Sequence, residues 1–267
     1  MNAEKMVRGT DFQLRVLVTA GAAGIGRTIA ATFLESGARV HVCDIDEAAL
    51  AKCRSELPKV TQSKADVSKL DDVERLFADV KRELGGLDVL VNNAGIAGPT
   101  AKVEDIKPED WDRCIAVDLS AMFYCTRLAM PMLKANGRER GGSIINISSV
   151  AGRLGFGMRT PYASAKWAVV GFTKSLAVEA GPDGIRVNCI QPGNVEGPRI
   201  ERVIESKAKA FGISVEEQRE ALLETTSLRT FVSAQDIADM ALFLAGPSGR
   251  HISGQALSVC GDLQRMI

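Results

Sequence analysis

Leu14-Arg15-Val16-Leu17-Val18-Thr19 is followed by Ala20-Gly21-Ala22-Ala23-Gly24-Ile25-Gly26, then by Arg27 to Ser36, then by Arg39-Val40-His41-Val42-Cys43-Asp44. The first apolar run reads as a short buried strand. Arg27 to Ser36 carries apolar residues at helical spacing, and Gly37 ends that helix. Arg39 to Asp44 reads as a second strand that finishes on an acid. Strand, glycine-rich turn, helix and strand make one βαβ unit, whose crossover is right-handed. Such a turn has a physical use: glycines let the backbone approach a pyrophosphate, and the following helix N-terminus aims amide groups and a positive dipole at it. The spacing is GxxGxG, not the GxGxxG of the general dinucleotide fingerprint. A glycine turn alone can also serve only to pack a helix on a sheet, so Asp44 matters, 18 residues after Gly26 (44 − 26 = 18). A carboxylate at the end of the second strand accepts bonds from an adenosine ribose 2′-hydroxyl and repels a 2′-phosphate, which favours NAD over NADP. The competing reading of Asp44 is an N-cap for a helix starting near Asp46.

The alternation continues along the chain. Asp46 to Leu57 reads as a helix stopped by Pro58, Val60 to Ala65 as a weak strand, and Leu70 to Leu84 as a helix with a stripe through Leu70, Val73, Leu76, Phe77, Val80 and Leu84. Leu87 to Val91 is a fourth strand ending in Asn92-Asn93-Ala94-Gly95. Pro108 to Leu133 reads as one long helix with its stripe through Trp111, Ile115, Leu119 and Met122. Ser143 to Ile147 is a fifth strand, Pro161 to Ala180 a helix, Ile185 to Ile190 a sixth strand closed by Gln191-Pro192-Gly193, Ala234 to Leu244 a helix and Gln255 to Val259 a last strand. Repeated βα units predict a single α/β domain over residues 1–267: a Rossmann-like, doubly wound parallel sheet of about seven strands flanked by helices. Residues 197–229 break the pattern with two helices, Pro198 to Phe211 and Val215 to Thr225, in a position to cover a site beyond the strand ends.

Composition narrows the function classes. The chain is 46% hydrophobic and 25% charged, ordinary globular values. Lys+Arg and Asp+Glu are both 33, a formal net charge of zero, which argues against a broad basic face for nucleic acid. No apolar run reaches the roughly 18 residues that cross a bilayer, so no membrane partner is expected. Met1 to Phe12 carries Glu4, Lys5, Arg8 and Asp11 and is not read as a secretory signal. Six scattered cysteines without a CxxC pair fit a reducing, cytoplasmic compartment, and His41 and His251 lack the companions of a metal site.

Chemistry is suggested by Ser148-Ser149-Val150 and by Thr160-Pro161-Tyr162-Ala163-Ser164-Ala165-Lys166. Thr160 is a good N-cap and Pro161 suits the first helical position, which puts Tyr162 in the first turn at the positive end of the dipole. Lys166, four residues on, shares its face. A neighbouring ammonium and a helix N-terminus both favour a phenolate, so a tyrosine so placed can act as a general acid/base for a hydroxyl or carbonyl. Taken alone, the pair could equally sit on an ordinary surface helix.

Together these motifs resemble the short-chain dehydrogenase/reductase family over nearly the whole chain. The glycine turn, Asp44, Asp66-Val67, Asn92-Asn93-Ala94-Gly95, Ser149, Tyr162 to Lys166 and Pro192-Gly193 stand in that family's order. Ser149 precedes Tyr162 by 13 positions (162 − 149 = 13), the family's spacing, and is chosen over Ser148. The resemblance implies Tyr162 as the acid/base, Lys166 as the holder of the nicotinamide ribose, Ser149 as the donor to the substrate oxygen, and Asp118 at the position of the fourth member, usually asparagine. It implies an NAD groove built from Gly21, Ala23, Gly24, Ile25, Gly26, Asp44, Ile45, Asp66, Val67, Asn93, Ala94, Gly95, Pro192, Gly193 and Val195, with Tyr162 and Lys166. Asn92 is expected to line the groove beside Gly95.

Departures from the family pattern are Ala20 for a glycine, Asp118 for the asparagine, Gly197 for the threonine that contacts the nicotinamide amide, and Cys260 for an acid near the C-terminus. The expected activity is hydride transfer between NAD and a secondary alcohol or ketone, with a small polar or sugar-like substrate preferred. The alternatives are an NADPH-linked 3-oxoacyl-thioester reductase, against which Asp44 counts, and a non-catalytic nucleotide-sensing protein, which would be expected to lose Tyr162 or Lys166. Candidate pocket residues are Arg153, Phe156, Met158, Arg159, Asn194, Glu196 and Arg199. Wide apolar faces on the two long helices suggest a homo-oligomer, a tetramer in this family.

Overall fold

The computed structural model describes residues 13–266. The N-terminal segment read above as no signal lies outside the described residues. Seven strands form one parallel sheet: β1 (Arg15–Thr19), β2 (Arg39–Asp44), β3 (Thr61–Lys64), β4 (Val89–Asn92), β5 (Gly142–Ile147), β6 (Ile185–Pro192) and β7 (Ala256–Val259). Their order is β3-β2-β1-β4-β5-β6-β7. The chain builds outward from β1 to β3, then returns to the other side of β1 with β4. The carboxyl ends of β1 and β4 therefore flank the switch point, where an open α/β sheet binds its ligand.

Strand parity builds two cores. Val16 and Val18 of β1, Val89 and Val91 of β4, and Ile145 and Ile147 of β5 face one side, packed by α1 (Gly24–Glu35), α2 (Glu47–Glu56) and a late helix at Ala234–Ala245. Leu17, Leu90 and Ile144 face the other, against α3 (Leu70–Leu84) and two long helices. In α3 the expected stripe holds from its second member: Val73, Leu76, Phe77, Val80 and Leu84 are all buried, whereas Leu70, at the first helical position, is exposed. Each such side chain contributes about 1.5–3 kcal/mol.

The helix expected over Pro108 to Leu133 is continuous but not regular. It comprises α4 (Pro108–Ile115), a π-helical turn at Ala116–Ser120 and α5 (Ala121–Lys134). The buried face runs through Cys114, Val117, Asp118, Ala121, Met122 and Cys125, whereas Trp111 is 39% exposed and Ile115 and Leu119 are only half-buried. The expected stripe is corrected accordingly: of its four residues only Met122 is buried, and the buried face lies beside the expected one, through Cys114, Val117, Asp118 and Ala121. α6 (Thr160–Ala180) follows β5. Its N-cap is Arg159, not Thr160, whose Oγ1 is buried without a protein partner. After β6 come α7 (Pro198–Phe211), α8 (Val215–Leu223), closed at its start by a Ser214–Glu217 capping box, and α9 (Ala234–Ala245).

The base of the sheet is tied by one carboxylate. Asp88 accepts from the Arg15 amide at 2.9 Å and from Arg15 Nε at 2.8 Å, and Arg140 Nε reaches it at 2.8 Å. Burial alone would raise the Asp88 pKa, but the hydrogen bonds from Arg15 and Arg140 outweigh it and hold it below the usual carboxylate range.

Candidate active site

The glycine turn joins β1 to α1 within a few residues. The Gly21 amide donates to Cys43 O at 2.9 Å, so the turn leans on β2. A Cβ on Gly21 would lie 2.7 Å from the Val42 side chain, and one on Gly26 would lie 2.2 Å from Ala20 O. Only hydrogen fits at either place. Ala20, where the family has glycine, takes the left-handed region at φ 47°. Gly24 has φ 52° and opens α1; no atom stands within 4 Å of where its Cβ would be. The first helix thus begins inside the turn, not at Arg27, because a positive-φ glycine already serves as its first residue. Ala23 precedes it without a side-chain cap, and Ala23 and Gly24 are exposed. Open space over an uncapped helix N-terminus fits a pyrophosphate.

The loop after β4 is stitched to this turn. Thr19 Oγ1 accepts from the amides of Asn93 and Ala94, both at 3.0 Å. Asn93 Nδ2 donates to Thr19 O at 2.9 Å and to Ala20 O at 3.0 Å. Asn92 does not line the groove. It is buried and donates to Asn146 Oδ1 at 2.9 Å and Thr126 Oγ1 at 3.1 Å, because β4 extends one residue further than expected and turns this side chain into the sheet.

Asp44 ends β2 half-buried. Its Oδ2 accepts from the Ala22 amide at 3.3 Å and its Oδ1 from the Asp46 amide at 3.1 Å. The N-cap of α2 is Asp46, which accepts from the Ala48 and Ala49 amides. Asp44 is therefore turned to the glycine turn, and the capping alternative is removed. Ile45 beside it is 55% exposed. Beyond β3, Val67 is buried against the core. Asp66 accepts from Ser68 Oγ at 2.6 Å and stands 3.7 Å from Arg113 of α4. Burial pushes the Asp66 pKa up, and the Ser68 hydrogen bonds with the Arg113 charge bring it below normal.

Three side chains, Tyr162, Lys166 and Asp118, meet where α4–α5 and α6 pack beside the ends of β4 and β5. Lys166 Nζ lies 5.6 Å from the centroid of the Tyr162 ring and 3.3 Å from Asp118 Oδ1, and donates to Ile147 O at 3.2 Å. Gly95 closes the group: a Cβ there would stand 2.6 Å from Asp118 Oδ1 and 3.2 Å from Lys166 Nζ. The two serines divide their work. Ser148 Oγ donates to Lys166 O at 2.8 Å and anchors α6 to the end of β5. Ser149 Oγ accepts from the Ala151 amide at 3.1 Å.

The rim is polar. The Arg159 guanidinium stands 5.4 Å from the Tyr162 ring centroid and 5.2 Å from that of Phe156, and donates to Ala97 O at 2.5 Å. Met158 is 52% exposed at φ 61°. Arg153 points elsewhere, donating to Leu263 O at 2.7 Å and so fastening the C-terminal segment. Pro192 ends β6, Gly193 packs so closely on Cys260 that a Cβ would lie 2.7 Å from its Cα, and Val195 bridges to Val232. Asn194 Nδ2 is buried without a protein partner, and Glu196 is exposed. The Arg199 side chain lies outside the described residues.

Comparison with known proteins fits this geometry. The family model described as short chain dehydrogenase matches residues 15–208. The chain belongs to the short-chain dehydrogenase family. It is 35% identical over 250 residues to a D-beta-hydroxybutyrate dehydrogenase of Cupriavidus necator, covering 92% of this chain and 95% of that one. It is 36% identical over 253 residues to a putative ketoacyl reductase of Streptomyces coelicolor, covering 92% and 95%. A crystal structure of a single-substitution variant of actinorhodin polyketide ketoreductase with NADPH superposes with a TM-score of 0.88 at 33% identity, covering 94% of this chain and 97% of that one.

This short-chain dehydrogenase is thus an oxidoreductase that uses a nicotinamide cofactor on an alcohol or ketone. Two side chains at its site escaped the reading of the sequence. Thr19 stitches the loops after β1 and β4, which no motif announces. Cys114 donates to Asp118 Oδ2 at 3.2 Å. It stands four residues before Asp118, and helix spacing alone could have found it.

Proposed function

We propose that this chain transfers a hydride between NAD and a small polar secondary alcohol or its ketone. The observation that carries the reading is the Lys166 ammonium held against the Tyr162 ring, 5.6 Å from its centroid, with Gly95 beside it. A bound nicotinamide supplies the hydride donor or acceptor, and the protein supplies orientation and proton transfer. In the oxidation direction Tyr162 takes the hydroxyl proton as a general base; in reduction it returns it. Ser149 donates to the substrate oxygen as charge develops there. Lys166 sets positive charge beside the phenolate oxygen and binds the ribose. The glycine turn holds the pyrophosphate, with Asp66, Val67 and Ile45 around the adenine and the backbone from Pro192 to Val195 on the nicotinamide side.

Cofactor choice rests on Asp44. Its carboxylate faces the turn from the end of β2, where a 2′-phosphate would meet like charge. The Arg159 guanidinium at the rim supports an oxygen-rich or anionic substrate, and the similarity to a D-beta-hydroxybutyrate dehydrogenase supports a small hydroxy acid. A second reading, an NADPH-linked 3-oxoacyl-thioester reductase, is favoured by the likeness to a ketoreductase solved with NADPH. The exposed aromatic residues Phe123 of α5 and Trp167 of α6 support a homotetramer, and six buried free thiols support a cytoplasmic setting. Among the described residues no helix is long and apolar enough to cross a membrane.

The test is kcat/KM with NAD and with NADP across hydroxy acids, polyols and 3-oxoacyl thioesters. The expected result is a preference for NAD of at least about tenfold, equivalent to roughly 1.4 kcal/mol of discrimination. Comparable values for the two cofactors would overturn the role of Asp44. Turnover confined to thioesters with NADPH would establish the second reading.

A further inference from the structure

Asp118 differs in kind from an amide, and its surroundings suit a carboxylate. It is fully buried in the π turn between α4 and α5. Every contact described on it comes from a donor. The Ile96 amide donates to Oδ1 at 3.1 Å, the Cys114 thiol to Oδ2 at 3.2 Å, and the Lys166 ammonium stands 3.3 Å from Oδ1. An asparagine here could keep its oxygen on the Ile96 amide and Lys166 only by turning its NH₂ to the Cys114 sulfur, a weak acceptor, and it would bring no charge to Lys166. The π turn contributes directly: Cys114 lies on the last turn of α4 and Asp118 in the widened turn that follows, so the thiol caps the carboxylate oxygen that Lys166 leaves free. Burial and the neighbouring Asp118 charge push the Cys114 thiol up to about 12, so at neutral pH it stays protonated and remains a donor.

We propose that Asp118 is a charged positioning residue: its carboxylate clamps the Lys166 ammonium from behind and offsets part of the positive charge that Lys166 presents to Tyr162. The proposal rests on the reading of Tyr162 and Lys166 given above, and goes beyond it in assigning the work to a charge. An ammonium has three donors. Two are fixed by Asp118 Oδ1 and Ile147 O, which leaves one for a bound ribose hydroxyl. The ion pair is almost wholly out of solvent, with side-chain exposures of 4% for Lys166 and 0% for Asp118, so salt screens it little. The charged and titratable groups around it are Cys114 on α4, Asp118 itself, Lys166 and Tyr162 on α6, and Arg159 just before α6; the loop after β4 presents only backbone, at Gly95 and Ile96. Asp118 is the acid in direct contact with Lys166 among the described residues. Removing its charge leaves the buried Lys166 ammonium without its carboxylate beside the Tyr162 ring.

The chain has only two tyrosines, Tyr124 and Tyr162, so near-ultraviolet phenolate absorbance resolves Tyr162 in the free protein without cofactor or substrate. The experiment titrates wild type, Asp118→Asn and Tyr162→Phe, the last assigning the Tyr162 signal by its loss. In Asp118→Asn the phenolate absorbance that Tyr162→Phe loses is expected to appear at lower pH than in wild type. A curve superimposable on wild type, or one moved to higher pH, overturns the proposal. Gly95→Ala provides a second variant should Asp118→Asn fail to fold. Its methyl would stand 2.6 Å from Asp118 Oδ1 and 3.2 Å from Lys166 Nζ and so wedge the ion pair apart without changing any charge, and the same downward movement is expected as long as Lys166 keeps its place beside Tyr162. Failure of the functional reading is read separately: full turnover by Tyr162→Phe would sink that reading, whereas the clamp is decided by the titration.

Discussion

His41 makes the strand that carries Asp44 sensitive to acid. It sits on β2, 1% exposed, with Nδ1 2.8 Å from Thr61 Oγ1 and Nε2 3.0 Å from Ser63 Oγ. Neutral hydroxyls satisfy a neutral imidazole, and Ser63 in turn donates to Asp79 at 2.6 Å. Burial drives the His41 pKa from 6.5 down to about 4, against the opposing pull of Asp79. A histidine with a lowered folded-state pKa excludes a proton that the unfolded chain takes up. Its stabilising contribution is complete above pH 6.5 and is lost as pH falls from 6.5 towards 4. The slope approaches about 1.36 kcal/mol per pH unit, and the total over the interval is on the order of 3 kcal/mol. The carboxylates of Asp66, Asp79 and Asp88 are depressed below 3.8, so their stabilisation starts to fall only near and below that value. His251, the other histidine, is exposed. The interval from about pH 6.5 to 4.5 is thus governed by His41. Urea unfolding at half-unit steps of pH should show wild type losing stability through this interval and His41→Gln remaining nearly flat. Parallel curves for the two proteins would refute the reasoning.

Two further outcomes follow from local geometry. Ala20→Gly removes the cost of a left-handed alanine at φ 47°, partly offset by the greater freedom of glycine in the unfolded chain; a gain of about 0.5–1 kcal/mol is expected in thermal unfolding, and a loss would contradict it. Asp88→Ala leaves Arg15 and Arg140 without their shared carboxylate at the base of the sheet; a loss of about 3 kcal/mol in denaturant unfolding is expected, and a change below about 1 kcal/mol would show that the guanidinium groups find water instead.

Much of the fold was legible because both faces of the sheet are covered. Central strands such as Val16-Leu17-Val18 are then apolar at every position, and glycines punctuate the βα joints. The π turn was not legible, since no residue type in Ala116 to Ser120 marks a widened turn, and the buried face there lies on Cys114, Val117 and Asp118, which an apolar stripe through Trp111, Ile115 and Leu119 passes over. Asn92 and Asn93 could have been separated by parity. Leu90 and Asn92 share a face of β4, so Asn92 points to Thr126 on α5 while Asn93 is free to reach the glycine turn. Thr160 looked like a cap because residue type is all that a sequence displays; the chain enters α6 one residue earlier. The contrast between Asp44 and Asp46 needed coordinates, since both are acids at a strand–helix joint and only their bonds tell them apart. The pairing of Asp118 with Lys166 was legible as a question about charge. That donors alone surround the carboxylate emerged only from packing.

The central claim is that Tyr162, set over Lys166 beside a nicotinamide groove, carries the proton in a hydride transfer. Its most direct test is Tyr162→Phe, assayed side by side for NADH binding by fluorescence titration and for turnover of an alcohol that wild type oxidises. The account predicts binding within a few fold of wild type and loss of at least about a hundredfold in kcat. Turnover equal to wild type, with binding intact, would contradict it.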